Sequence, residues 1–264
     1  MKNILVPIGI LPNTHYTLQY AIDFSAYFKA NIFLIDIYNL VPSAASLVNI
    51  KKVVKSKNKN RIKEIIAKVN TKNTELKVVN FEGNILDGIE NLNNQLKIDL
   101  IIIGQKSNDI NEELFLGQTS GSIVKKTNIP VLLPPNKATF TPPNKALMAL
   151  KKGKIKGTKT LISLNEMIKK FNFQLHLLLV KTPGLKKEHL NISENVIEIV
   201  NKKETTESPT VYQGVLENMK SLSPDFLIVI RRKRGFFEKL WESNVVYKKD
   251  FHCNIPLLVL KEIA

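Results

Sequence analysis

The chain has 264 residues, 39 of them basic and 23 acidic, for a formal net charge of +16, with a single cysteine. That length suits one large domain or two ordinary ones, and one cysteine excludes an internal disulfide framework. The cationic excess favours anionic partners such as nucleotides, nucleic acid or lipid headgroups, but widely spread lysines also mark a solvated surface, and both readings stand.

Asn3 to Ile8 is a short β-rich run, too brief and too interrupted by Pro7 for a secretory core. Thr14 to Lys29 follows as a helix, with Tyr20, Phe24 and Phe28 at helical spacing facing a sheet. Asn31 to Tyr38 is a second strand, and a lysine-rich polar stretch leads to a helix from about Asn58 to Val69. Leu76 to Phe81, Ile85 to Leu96 and Asp99 to Ile103 then read as strand, helix and strand. A helix near Thr119 to Lys126 precedes a last strand, Pro130 to Leu133. Strands alternating with helix-length segments predict right-handed crossovers and a doubly wound parallel sheet, whose fourth strand is apolar throughout.

Prolines and small polar residues from Pro134 to Asn144 predict a stiff connection, dividing the chain into domains at 1–138 and 139–264. The second half restarts with a strand at Lys145 to Leu150, a helix from about Lys159 to Phe171 and a strand at Gln174 to Val180. Its next helix is expected to be short or lost, since Pro183-Gly184 falls within it. A strand near Val196 to Val200, a polar loop and a helix around Val211 to Leu222 complete the prediction. No apolar run approaches the roughly 20 residues that span a bilayer, so a soluble, cytoplasmic protein without membrane insertion is expected.

The stretch from Asp99 to Leu133 recurs, at one constant offset and without gaps, from Asp225 to Val259. Asp99 falls on Asp225, Leu114 on Leu240, Asn128 on Asn254 and Pro130 on Pro256. Two copies of one unit mean that every candidate site must be read twice.

The opening Ile4-Leu5-Val6-Pro7, the Gly83 turn, the strand ending at Gly104, the closing Ile129-Pro130-Val131-Leu132 and their counterparts from Asp225 to Leu258 resemble the universal stress protein family in its tandem form. The resemblance implies two tandem, doubly wound, parallel five-stranded α/β sheets of adenine nucleotide alpha hydrolase-like architecture. It also implies stress-response signalling, ATP sensing in some members and association through the last strands.

Family members that bind ATP use glycines after the fourth strand to bring backbone close to phosphate, ahead of a helix N-terminus. On that resemblance the first-half nucleotide set is Pro7, Gly9, Ile37, Gly104, Ser107, Gly117, Gln118 and Thr119. Ser107 stands where the middle glycine belongs, which a backbone needing positive φ would not tolerate. Gln118 replaces the hydroxyl residue, and the usual acidic residue after the first strand is Gly9. Losing that carboxylate removes about 1–3 kcal/mol of hydrogen bonding, so ATP binding is expected to be weak or absent. Alternatively, Gly104 and Gly117 only shape turns.

The second copy has Ile230, Lys233 and Ser243 at the glycine positions, leaving no phosphate cradle. Arg231, Arg232, Lys233 and Arg234 stand there instead, and Lys151 or Lys152 follows the first strand. These six residues form either an anion site built from side-chain charge or a solvated basic loop.

The four histidines are scattered without metal-ligand spacing, so no metal is expected. No nucleophile elbow, His-Glu-x-x-His or Walker-type motif occurs, and Asp99 and Asp225 read as turn-orienting residues. Phe236, Phe237 and Trp241 suit packing against the core or an interface better than base stacking. The expected function is a non-enzymatic stress-response binding protein with the two domains paired, a further homodimer and an unnamed protein partner. The alternative is a polyanion or nucleic-acid binder using the basic surface.

Overall fold

The computed structural model describes the chain apart from Pro12, residues 39–46, 107–110 and 233–243, Asp250 and Ala264, with side chains of the second helix described from Ser56 onward. The first half runs β1 (Asn3–Pro7), α1 (Thr14–Phe28), β2 (Asn31–Tyr38), α2 (Leu47–Ala67), β3 (Leu76–Glu82), α3 (Ile85–Leu96), β4 (Leu100–Ile102), β5 (Leu114–Leu116), α4 (Gln118–Lys126) and β6 (Val131–Leu133). The second runs β7 (Lys145–Leu150), α5 (Ile162–Phe171), β8 (Gln174–Lys181), α6 (Glu194–Ile197), β9 (Lys202–Glu207), α7 (Val211–Leu222), β10 (Phe226–Arg231), β11 (Val246–Tyr247) and β12 (Leu257–Lys261).

The main sheet has ten strands in the order β3-β2-β1-β4-β6-β12-β10-β7-β8-β9, two mirror-ordered sets of five. Pairing is parallel within each set, as crossover helices require. The sets meet at one antiparallel junction, where Val131, Leu132 and Leu133 of β6 pair with Val259, Leu258 and Leu257 of β12. The two predicted sheets are therefore fused edge to edge. Each gives up its most exposed apolar edge, which would otherwise template aggregation.

Helices cover both faces, and each face has one apolar core that draws on both halves. On one face Phe24 and Phe28 of α1, Phe140 of the connection and Phe171 of α5 meet edge to face. On the other, β5 pairs antiparallel with β11, and Phe115 packs on Phe251 at 5.0 Å between centroids.

Three expectations need correction. The helix before β3 begins at Leu47 rather than near Asn58. Its lysine-rich first half reads as loop by polarity, yet lysine is a good helix former. The strand expected at Val196 to Val200 is α6 and a turn, with Val196 buried in the core. The real strand is Lys202–Glu207, which fell in the predicted polar loop. As an edge strand it faces solvent, so its ladder partner β8 and ion pairs such as Lys181–Glu207 hold it without an apolar face. The short strands β5 and β11 were not predicted at all; each pairs with a segment from the other half of the chain.

The repeat also diverges in structure. Residues 244–252, the counterpart of helix α4, contain β11 and a turn. Val245, Val246 and Tyr247 are β-branched or aromatic, types that suit strands.

Candidate functional site

Asp99 and Asp225 set the frame for both strand-end regions. Asp99 Oδ2 accepts the backbone N–H groups of Lys2 and Asn3 at 2.6 and 3.0 Å. The Asp225 carboxylate accepts those of Asn144 and Lys145 at 2.8 and 3.1 Å. Lys2 and Asn144 are thus equivalent, as are Asn3 and Lys145. Counting along the paired strands, Gly9 corresponds to Lys151, which resolves the one-residue ambiguity left by the sequence.

In the first half a crevice of about 310 Å³ opens at the carboxyl ends of β1, β4 and β6. Pro7, Gly9 and Leu11 line it after β1, Asn13, Thr14 and Thr17 on α1, and Gly104, Gln105 and Lys106 after β4. Glu112 and the segment from Pro134 to Asn136 close it. Its volume is at the lower end for small-molecule pockets. Gly104 has a steric reason to be glycine, because a β-carbon there would stand 2.9 Å from Thr17 Oγ1.

Of the predicted nucleotide set, Pro7, Gly9 and Gly104 line this crevice. Gly117, Gln118 and Thr119 form the N-cap and first turn of α4, just behind it. Gly117 N–H donates to Gln105 O at 3.0 Å, and Ser120 Oγ donates to Gly104 O at 2.7 Å. Gly117 has φ −77°, so its backbone does not require glycine. Ile37 packs beneath α3 against Gly88, away from the crevice lining. Ser107 lies outside the described residues.

The sequence reading missed the ion pair that holds the Gly9 backbone. Asp36, buried on β2, pairs with Arg61 of α2, and Arg61 Nη1 donates to Gly9 O at 2.6 Å. Burial pushes the Asp36 carboxyl above its ordinary value, while Arg61 opposes the shift. The signal was an acidic residue inside the apolar run Asn31 to Tyr38. An Asp36–Arg61 pair therefore holds the backbone of Gly9, the position where the resemblance called for a carboxylate.

The second half has a crevice of about 630 Å³ in the equivalent place, at the ends of β7, β10 and β12. Lys152, Lys154, Lys156, Glu188, His189, Asn191, Arg232 and Glu262 line it. Of the described members of the predicted anion set, Lys152 and Arg232 come together here. Lys151 does not line the crevice, and Arg231 reaches into the other half to donate to Thr127 O. Lys233, Arg234, Phe236, Phe237 and Trp241 lie outside the described residues. Arg232 donates to Lys152 O and Lys154 O at 3.2 and 2.9 Å, and its Nε lies 3.3 Å from Glu262 Oε1. The alternation Lys-Gly-Lys-Ile-Lys at 152–156 was the available signal for the lysines that were missed.

Among the described residues no cluster of His, Cys, Asp and Glu could hold a metal ion, and no helix is long and apolar enough to cross a membrane. Cys253 is buried and its thiol is pushed up to about 12 by desolvation, as suits a packed side chain.

Comparison with known proteins gives the fold a context. The chain is similar to a universal stress protein from Archaeoglobus fulgidus, with a TM-score of 0.72 at 17% identity over 99% of this chain and 98% of that one. It is also similar to a functionally unknown protein from Pseudomonas aeruginosa PAO1, with a TM-score of 0.57 at 12% identity over 99% and 93%. No curated protein matches. The universal stress protein family profile matches residues 1–135, just over half of the chain, and on that ground this chain belongs to the universal stress protein family.

Proposed function

We propose that the protein is a non-enzymatic stress-response binding module that takes an adenine nucleotide weakly in the first-half crevice. The observation that carries this reading is Gly104, which forms the crevice wall at the end of β4 with the first turn of α4 hydrogen-bonded behind it. Gly104 and Lys106 suit the phosphates of such a ligand, whereas Gly9 leaves the adenosine end without the carboxylate acceptor of the family at that position. This imbalance supports weak affinity rather than tight storage of ATP. The reading divides the chain into domains 1–138 and 139–264, paired through β6 and β12, with further homodimerisation in the cytoplasm.

Thermal unfolding with and without millimolar ATP tests the proposal. ATP at a hundredfold excess over Kd would stabilise the wild type by about 2.7 kcal/mol. It should leave Gly104→Val, whose side chain fills the crevice, unshifted, and should be recovered unhydrolysed. An absent shift in the wild type, an equal shift in the variant or ATP turnover would overturn the reading.

A further inference from the structure

We propose that the second-half crevice is a site for a compact, phosphate-rich anion, held by the side chains of Lys152, Lys154 and Lys156. This goes beyond the nucleotide reading and does not depend on it, since the two crevices lie at the carboxyl strand ends of different halves and share no lining residue.

The three lysines are exposed and alternate with buried Gly153 and Ile155, so the segment presents them on one side. Its backbone is fixed from two directions. Toward the protein, Gly153 N–H donates to His189 O at 2.9 Å and Ile155 N–H to Ser193 Oγ at 3.2 Å. A β-carbon on Gly153 would stand 2.6 Å from Asn191 O, so only glycine permits this approach. From the other direction Arg232 donates to two carbonyls of the segment, and Glu262 Oε1 accepts Lys156 N–H at 3.0 Å.

Arg232 is thereby a positioning residue. Its Nη1 and Nη2 groups each donate to backbone and its charge faces Glu262, while the lysine ammonium groups are left to meet a ligand. All three lysines line this one crevice, which lets a short chain of phosphates seated in it meet them together. Within the crevice the lysines and Arg232 outnumber the carboxylates of Glu188 and Glu262, so the cavity keeps a positive field. Ile230 and Lys151 stand where the first half has Gly104 and Gly9, so side-chain charge replaces close backbone approach and selects no base.

Calorimetric titration of the full chain with inorganic tripolyphosphate tests the site. Binding should occur at low ionic strength, weaken with added salt and persist in Gly104→Val. It should fall at least tenfold in Lys154→Gln/Lys156→Gln, whose exposed positions leave the unliganded melting temperature unchanged. Lys169→Gln/Lys170→Gln, which removes two exposed charges from α5, should bind like the wild type. Failure of tripolyphosphate to bind, an undiminished affinity in the 154/156 variant or an equal loss in the 169/170 variant would overturn the proposal. Loss of binding in Gly104→Val would reassign the anion to the first crevice. Binding of a single-stranded oligonucleotide without tripolyphosphate would make the surface a nucleic-acid one and equally overturn it.

Discussion

Leu132 pairs across the central junction with Leu258, its own counterpart in the internal repeat. A local twofold axis therefore passes between these two residues, and both side chains are fully buried in the same core. Directly opposed residues on antiparallel strands bring their β-carbons to about 4.5–5.5 Å, so the two leucines share one packing environment.

Leu132→Ala and Leu258→Ala should accordingly destabilise the protein by similar amounts, each about 2–5 kcal/mol. The double variant should depart from additivity, because residues in contact couple. Urea unfolding of the three variants measures this; strictly additive losses would mean that the two side chains do not share a cavity.

Symmetry fails one element away, where a β-carbon on Gly121 of α4 would stand 1.9 Å from Asn244 O. The obstacle is backbone from the opposite half rather than a pliable side chain. Gly121→Ala must push α4 off that segment and should cost about 3 kcal/mol, the upper end for overpacking. Gly184→Ala is the comparison, with open space around it but φ +74°. Its loss should be about 1 kcal/mol, from backbone strain alone. Equal denaturation midpoints for Gly121→Ala and wild type would remove the close contact from the account.

Asp36 gives stability a pH dependence of defined sign. Burial raises its carboxyl in the folded protein, with Arg61 opposing. The folded chain holds this proton where the unfolded chain has released it. Its contribution is thus fully present below the ordinary value of about 4 and is lost as pH rises through the raised value. Asp36→Asn cannot ionise and retains a polar partner for Arg61. Relative to this variant the wild type should lose stability as pH climbs through that window and then level off. Parallel pH profiles of the two denaturation midpoints would contradict the assignment.

Much of the fold was legible locally. β2 (Asn31–Tyr38), α3 (Ile85–Leu96), β7 (Lys145–Leu150) and α7 (Val211–Leu222) match their predicted bounds, because each carries its own periodicity or apolar run. Asn84 and Thr210 cap α3 and α7 with side-chain oxygens that accept backbone N–H groups, a signal also carried by the local sequence. β9 was illegible for the opposite reason. Its residues are polar, and only the ladder to β8 makes them a strand.

The candidate sites divide the same way. Gly9, Gly104, Lys152 and Arg232 were found from the repeat and the resemblance, and the structure places them at the strand ends. Thr17 and Glu262 were missed because they reach the crevices from segments far apart in the chain, whereas Lys154 and Lys156 were missed beside Lys152 although the local alternation carried them.

The amino-acid sequence alone determined the duplication, the winding of each half and the identity of the family, since these rest on local patterning and constant spacing. The resemblance already pointed to pairing through the last strands; tertiary structure alone decided the register of the β6–β12 junction, and that Arg232 would brace a lysine segment rather than offer its own charge. Both outcomes depend on contacts between distant residues, whose energies are set by packing and burial that no local pattern encodes.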